Sequence, residues 1–233
     1  MRFGSLSIPF MALALAACGG AVEEADSTEA AETSSEAPEE IVVDGPEVRI
    51  IAFGDSLFAG YNLAEHEGYP ERLQRALRQE GINATVVDAG VSGDTSSGGL
   101  ERIGFLLDQQ PVKPDLFILE LGGNDMLRGI QPAATRENFE GMLAELQSRD
   151  IPVLLMGMRS PPNYGPDYQQ QFDGLYGDLA REYGAALVPF WLESIYEDQS
   201  LFLEDRIHPT AEGIAALVGD TIDDVEKALP PKN

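Results

Sequence analysis

Between residues 48 and 229, five short apolar runs alternate with five stretches whose apolar residues recur every three or four positions. The short runs read as buried strands and the periodic stretches as amphipathic helices. The runs are residues 48–53, 84–88, 116–121, 153–158 and 186–190. The first helical stripe is Tyr69, Leu73, Ala76 and Leu77, stopped by Gly81, and the second is Leu100, Ile103, Leu106 and Leu107. Phe139, Met142, Leu143 and Leu146 make the third. Phe172, Leu175, Leu179 and Tyr183 make the fourth, closed by Gly184, and a long last stripe runs from Ile214 through Leu217, Val218, Ile222 and Val225 to Leu229. Strand-then-helix repeated in this way folds as a parallel sheet with helices on both faces, an α/β domain. The third run is broken only by Glu120, as a strand buried on both faces should be. Residues 47–233 suffice for one such domain with a sizeable core.

In parallel α/β sheets, ligands bind beyond the carboxyl ends of the strands, so the loops after the runs are where chemistry is expected. Nucleotide signatures are missing there. The stretch from Gly90 to Gly99 has no lysine after its last glycine, and no Gly-x-Gly-x-x-Gly follows the first run. There is no cysteine–histidine cluster of the kind that holds zinc.

What the loops do hold is one residue for each role in acyl transfer. Gly54-Asp55-Ser56-Leu57 directly follows the first strand and presents a hydroxyl, although Gly-Asp-Ser is also an ordinary polar turn. Asp205 precedes His208 by three residues on one short loop. Its carboxylate can accept from Nδ1–H and leave Nε2 free to take a serine proton, or the two can be a purely structural pair. His66 lies in no such sequence pattern and reads as an exposed loop histidine. After strand two, Gly93 can bring its backbone N–H close to a substrate. After strand three, Gly122-Gly123-Asn124-Asp125 offers the Asn124 amide to developing negative charge. Both loops also read as turn formers. The Ser56 N–H would be a third donor.

The order Gly-Asp-Ser-Leu, loop glycine, Gly-x-Asn-Asp, Asp-x-x-His-Pro resembles the GDSL or SGNH hydrolase superfamily, over residues 53–209. It is most similar to the bacterial thioesterase I / lysophospholipase L1 / arylesterase group. The segments Ser92-Gly93-Asp94-Thr95-Ser96, Leu127-Arg128-Gly129-Ile130-Gln131-Pro132 and Asn163-Tyr164-Gly165 follow that group's order. The resemblance implies a three-layer α/β/α, flavodoxin-like fold with a five-stranded parallel sheet. It implies no metal or cofactor. It also implies a triad of Ser56, His208 and Asp205, with Ser56, Gly93 and Asn124 as oxyanion donors. The activity implied is a serine esterase acting on aryl or acyl esters, thioesters or lysophospholipids. A carbohydrate or cell-wall O-acetylesterase would use the same residues, and a non-catalytic envelope lipoprotein could keep the fold alone.

Substrate contacts are expected in the loops after strands three to five. Met126, Leu127 and Ile130 follow the third, Pro161, Pro162 and Tyr164 the fourth, and Trp191 and Phe202 the fifth. They could line an acyl groove or simply pack the loops.

The amino-terminal 46 residues do not read as globular. Residues 1–17 carry Arg2 and a short apolar run, too short to span a bilayer, with the build of a signal peptide. The run ends Leu15-Ala16-Ala17-Cys18, similar to a bacterial lipobox, and Cys18 is the only cysteine, so no intrachain disulfide can form. Either Cys18 is lipidated and anchors the protein, or the signal is cut conventionally and the protein is soluble in the periplasm. With Gly19 rather than aspartate next, lipoprotein sorting rules point to the outer membrane, facing the periplasm. The familiar members of the resembling group are soluble periplasmic proteins, so an anchor would be a departure. Residues 18–46 hold nine acidic and no basic residues, too few apolar groups to fold, and are expected to form a disordered tether of about 30 Å. Gly45-Pro46 marks the domain boundary. The whole chain has 40 acidic against 15 basic residues, a formal charge of −25, which argues against nucleic acid and against polyanionic substrates.

Overall fold

The computed structural model describes residues 38–231. The expected signal peptide, Cys18 and most of the acidic tether lie outside them. The described residues form a five-stranded sheet of β1 (Val48–Gly54), β2 (Ala84–Gly90), β3 (Leu116–Leu119), β4 (Val153–Met156) and β5 (Ala186–Val188). The spatial order is β2-β1-β3-β4-β5 and every neighbouring pair is parallel. Ile51 pairs with Val87 on one side and Phe117 on the other.

Among the described residues six α-helices flank the sheet: α1 (Tyr69–Gln79), α2 (Ser96–Asp108), α3 (Gly123–Leu127), α4 (Pro132–Ser148), α5 (Pro166–Tyr183) and α6 (Ala211–Ala228). α1 packs with α6 on one face, and α4 packs with both α2 and α5 on the other. This is the expected three-layer α/β/α arrangement, flavodoxin-like in strand order. Ile50, Ile51, Ala52 and Phe53 of β1 and all four residues of β3 are fully buried. Each large apolar side chain buried this way contributes about 1.5–3 kcal/mol. Pro70, Pro132 and Pro166 open α1, α4 and α5, where a missing N–H costs nothing. Gly81 and Gly184 stop α1 and α5 at positive φ, as their positions in the sequence suggest.

Three differences from the sequence reading have physical causes. β3, β4 and β5 end two residues early, because their last apolar residues belong to loops that turn over the sheet edge. The Gly-x-Asn-Asp block is the start of the short helix α3 rather than a loop: Gly122 is left-handed, with φ 103°, and Met126 N–H closes onto its carbonyl at 3.0 Å. His66 is half-buried in a single 3-10 turn, Glu65–Glu67, not exposed in a loop.

The end of the acidic segment is not free chain either. Arg75 donates to the Glu39 carbonyl at 2.9 Å, and Arg78 donates to the Glu40 carboxylate and the Ile41 carbonyl at 3.1 and 3.2 Å. Asn83 holds the Gly45 carbonyl at 2.9 Å. Acidic chain thus lies along the basic residues of α1 before β1 begins.

Gly90, the last residue of β2, fixes how closely the turn after β1 can sit. A Cβ there would lie 2.4 Å from the Ala59 nitrogen and 3.0 Å from the Asp55 carbonyl oxygen. Both are backbone atoms and neither can step aside. Gly90→Ala is therefore expected to destabilise the protein by about 1–3 kcal/mol, read by urea unfolding.

Candidate active site

The turn after β1 places Ser56 at the carboxyl edge of the sheet, one side of the switch point between β1 and β3. Ala59 N–H donates to the Asp55 carbonyl at 3.0 Å and Tyr61 N–H to the Ser56 carbonyl at 3.2 Å, winding the turn tightly. Gly54 is required at its base. A Cβ there would lie 2.7 Å from Glu120 Oε2 and 2.9 Å from the Glu120 carbonyl oxygen.

His208 reaches the same point from the other end of the chain. Its loop is held as a narrow antiparallel bend: Phe202 bridges Pro209, Leu203 N–H donates to the His208 carbonyl at 2.7 Å, and Thr210 N–H to the Leu201 carbonyl at 2.8 Å. Thr210 then caps α6 by accepting the Gly213 N–H at 3.1 Å. At the tip, Asp205 Oδ1 accepts the N–H groups of Ile207 and His208 at 2.9 and 3.0 Å, while Oδ2 lies 2.7 Å from His208 Nδ1. One carboxylate thus fixes both the loop and the ring. Burial pushes the Asp205 carboxyl up, but those two N–H groups and the imidazole outweigh it and leave it below the usual range. An ionised carboxylate only accepts, so Nδ1 carries the proton and Nε2 presents its lone pair. Ser56 Oγ lies 2.8 Å from that Nε2. The Tyr61 ring covers the imidazole at 4.3 Å.

Gly93 and Asn124 lie beside Ser56 in the same groove. Gly93 has φ 81°, and Arg128 donates to its carbonyl at 2.6 Å. Asn124 spends one amide hydrogen on Asp55 Oδ2 at 2.9 Å. A buried network ties the two loops together. Asp125 accepts from Ser96 N–H at 2.8 Å, from the Ser96 hydroxyl, and from the Thr135 hydroxyl at 3.1 Å. Arg102 pins the strand ends below: it donates to Asp94 at 2.7 Å, to the Ala89 carbonyl at 2.9 Å and to the Gly54 carbonyl at 3.0 Å, with its guanidinium 3.7 Å over the Phe53 ring.

The groove holds about 620 Å³. Of the residues expected to line it, Met126, Leu127, Pro161 and Phe202 do, and Ile130, Pro162, Tyr164 and Trp191 do not. Trp191 is buried on the far side of its strand end, edge-on to Phe58 and Tyr69 at 5.5 and 5.3 Å. Its neighbours Phe190 and Leu192 face the groove instead. The Ile130 carbonyl accepts the Tyr168 hydroxyl at 3.0 Å, and Tyr164 packs on the Tyr168 ring at 5.1 Å, so both are used in holding α5. Residues not anticipated include Tyr61, Met158, Tyr196 and Ile207, with Arg159, Glu197 and Arg206 as the charged members. The signal that could have found Met158, Phe190 and Leu192 is the one that found the others, position just beyond a strand's carboxyl end. Among the described residues no group of three or more His, Cys, Asp or Glu side chains could hold a metal ion.

Residues 52–216 match the model of the GDSL-like Lipase/Acylhydrolase family. The chain is 42% identical over 160 residues to Esterase TesA of Pseudomonas aeruginosa, covering 69% of this chain and 79% of that one. It is 37% identical over 163 residues to Thioesterase 1/protease 1/lysophospholipase L1 of Escherichia coli, covering 70% and 76%. The solved structure of AlinE4, an SGNH-hydrolase family esterase, matches with a TM-score of 0.68 at 56% identity, covering 81% of this chain and all of that one.

Asp125 is fully buried with three donors pointing at it. Asp125→Ala leaves all three without an acceptor and should cost about 2–4 kcal/mol in urea unfolding. It should also lower kcat more than it raises KM, because Gly93 and Asn124 lose their common tie.

Proposed function

Because the chain belongs to the GDSL-like lipase/acylhydrolase family and is a serine esterase, we propose that Ser56 is its nucleophile, His208 its general base and acid, and Asp205 the carboxylate that orients the imidazole. One observation carries this reading: the unbroken contacts from Asp205 to His208 to Ser56, 2.7 and 2.8 Å long. His208 Nε2 takes the hydroxyl proton as Ser56 Oγ bonds to the ester carbonyl carbon. The carbonyl electron pair moves onto oxygen, which the N–H groups of Ser56 and Gly93 and the second amide hydrogen of Asn124 receive. His208 then protonates the leaving alcohol or thiol as its bond breaks. Water, deprotonated by the same nitrogen, hydrolyses the acyl-enzyme and releases the acid.

The substrate reading is an acyl or aryl ester, lysophospholipids included. Met126, Met158, Pro161, Phe190, Leu192 and Phe202 supply apolar walls of the kind an acyl chain needs. The names of the two curated relatives support the same class, since one is an esterase and the other a thioesterase and lysophospholipase. A formal charge of −25 disfavours acyl-CoA, whose phosphates it repels. The Leu15-Ala16-Ala17-Cys18 run supports a place in the bacterial envelope, with a lipid on Cys18 holding the protein at the outer membrane.

Ser56→Ala should lose at least about 10⁴-fold in kcat, keep its unfolding midpoint, and no longer take up a fluorophosphonate label. Wild-type turnover in that variant would refute the nucleophile. On p-nitrophenyl esters, medium chains should outrun acetate; the reverse order selects the O-acetylesterase.

Cys18→Ser should move the protein, expressed in a bacterial envelope, from the membrane fraction to the soluble one. An unchanged distribution would refute the lipid anchor.

A further inference from the structure

Two buried carboxyl groups lie directly beneath Ser56, and no step above uses them. Asp55 is 2% exposed and Glu120 not at all. Asp55 Oδ1 accepts the Leu57 N–H at 3.0 Å and Oδ2 the Asn124 amide at 2.9 Å. Glu120 Oε2 accepts the Asp55 N–H at 3.2 Å, in the space that Gly54 leaves by having no side chain. Glu120 Oε1 is buried without a donor to accept from. The two carboxyls are close enough to share a hydrogen bond. Three other titratable groups face the pair or its surroundings: His208, on the loop before α6, acts on Asp55, while the pair and Asp125 of α3 together act on the buried Tyr176 hydroxyl of α5. The nearby guanidinium of Arg102 on α2 is spent on Asp94 and two carbonyls.

Two carboxylates in one dry pocket do not both ionise. Asp55 collects two N–H donors, whereas Glu120 collects one donor and keeps a bare oxygen. The charge therefore goes to Asp55 and the proton to Glu120. We infer that Glu120 is a positioning residue that works as a neutral acid, donating its carboxyl proton to Asp55 so that the Asp55 carboxylate holds the Asn124 amide toward the oxyanion. Burial, the largest cause, and then the Asp55 charge push Glu120 well above the usual carboxylate range. Burial raises Asp55 too, against the opposing pull of the Leu57 N–H, the Asn124 amide and His208.

The location of the proton matters because the Asn124 amide has two ends. An ionised Asp55 only accepts, so it draws the NH₂ end and leaves the second hydrogen for substrate. A protonated Asp55 could donate to the amide oxygen instead and stabilise the flipped amide, which offers the oxyanion nothing. Ionisation of Glu120 at high pH has a different effect. It puts a second negative charge under the place where the transition state develops its own.

The inference rests on Asn124 being an oxyanion donor, as proposed above. It is tested on the full chain with pH profiles of kcat and KM on p-nitrophenyl butyrate, and with infrared spectra at neutral pH. Glu120→Gln keeps the acceptor for Asp55 N–H and a donor toward the Asp55 carboxylate. It should hold kcat within about twofold at neutral pH and shift the alkaline fall in kcat upward or remove it. Glu120→Ala should lower kcat about tenfold with KM nearly unchanged, less than the 100- to 1,000-fold typical of losing an oxyanion donor outright. Wild type should show the carbonyl band of a protonated buried carboxyl, and Glu120→Gln should lack it. That band is also read in Ser56→Ala, so failure of the nucleophile assignment and failure of this one are separable. No such band, an alkaline limb unchanged in Glu120→Gln, or a Glu120→Gln enzyme as slow as Glu120→Ala would each overturn it. Should Glu120→Ala not fold, the glutamine variant and the spectrum decide.

Discussion

All five strands run one way, and that polarity is what gathers the chemistry. Each strand delivers its following loop to the same edge. The turn after β1 brings Ser56, the loop after β2 Gly93, α3 after β3 brings Asn124, and the long connection after β5 brings His208. The order β2-β1-β3 makes the chain leave β1 in one direction and β3 in the other, so a crevice opens between the two exits. The Ser56–His208 contact, spanning 152 positions in sequence, follows from that arrangement. An antiparallel strand in place of β2 or β3 would send Gly93 or Asn124 to the opposite edge. Close approach then sets the fine spacing. Gly54 lets Glu120 approach the base of the Ser56 turn, and Gly90 lets the Ala59 end of that turn approach β2, at distances no Cβ allows.

What could be read in the sequence was what depends on short range. Asp205 and His208 are legible because one turn of chain suffices to join them, and the structure shows that same turn locked by two further N–H bonds to Asp205. The strands were legible because β1, β3 and β4 are buried on both faces and therefore continuous in apolar residues. Their ends were not. An apolar residue just past a strand looks the same in sequence whether it pairs, as Leu119 does, or turns into a loop, as Leu121 does. The groove was half legible for the same reason. Phe190, Trp191 and Leu192 are three large apolar residues in a row, and which of them face substrate depends on how the backbone turns after β5. Trp191 went to the aromatic cluster with Phe58 and Tyr69, which it meets edge-on. Asn124 was found by its motif, but its helical setting was not, because Gly122 must first adopt a positive φ for which the sequence offers only permission.

Net charge and site charge are separate matters in this chain. Many of its few cations are absorbed structurally. Arg102 and Arg128 bind the loops around Gly54 and Gly93, Arg78 holds the acidic segment, and Arg159 pairs with Glu193 while lying over the Phe190 ring. The long-range field is consequently acidic, while the groove itself is walled mainly by apolar and aromatic side chains. That combination favours substrates whose recognition comes from burying an acyl chain rather than from pairing charge.

The groups proposed as oxyanion donors are held by buried acids, which is an expensive way to build. Asp55, Glu120 and Asp125 together displace volume that apolar side chains could fill, and a buried carboxylate is stable only while its donors are in place. The return is rigidity at atoms that would otherwise be free to turn. Asp125 binds the start of α2 to α4 and fixes the Gly93 loop relative to Asn124. Asp55 selects one of the two ends of an amide that is nearly symmetric in shape. An apolar core under the same turn would be more stable and would leave both choices open, and a donor that points correctly only part of the time stabilises the transition state only in that fraction of molecules. The acids therefore make sense as the cost of preorganisation. The same reasoning explains why they crowd beneath β1 and β3, next to the proposed donors, whereas Asp205, on the loop before α6, pairs with His208 near the surface.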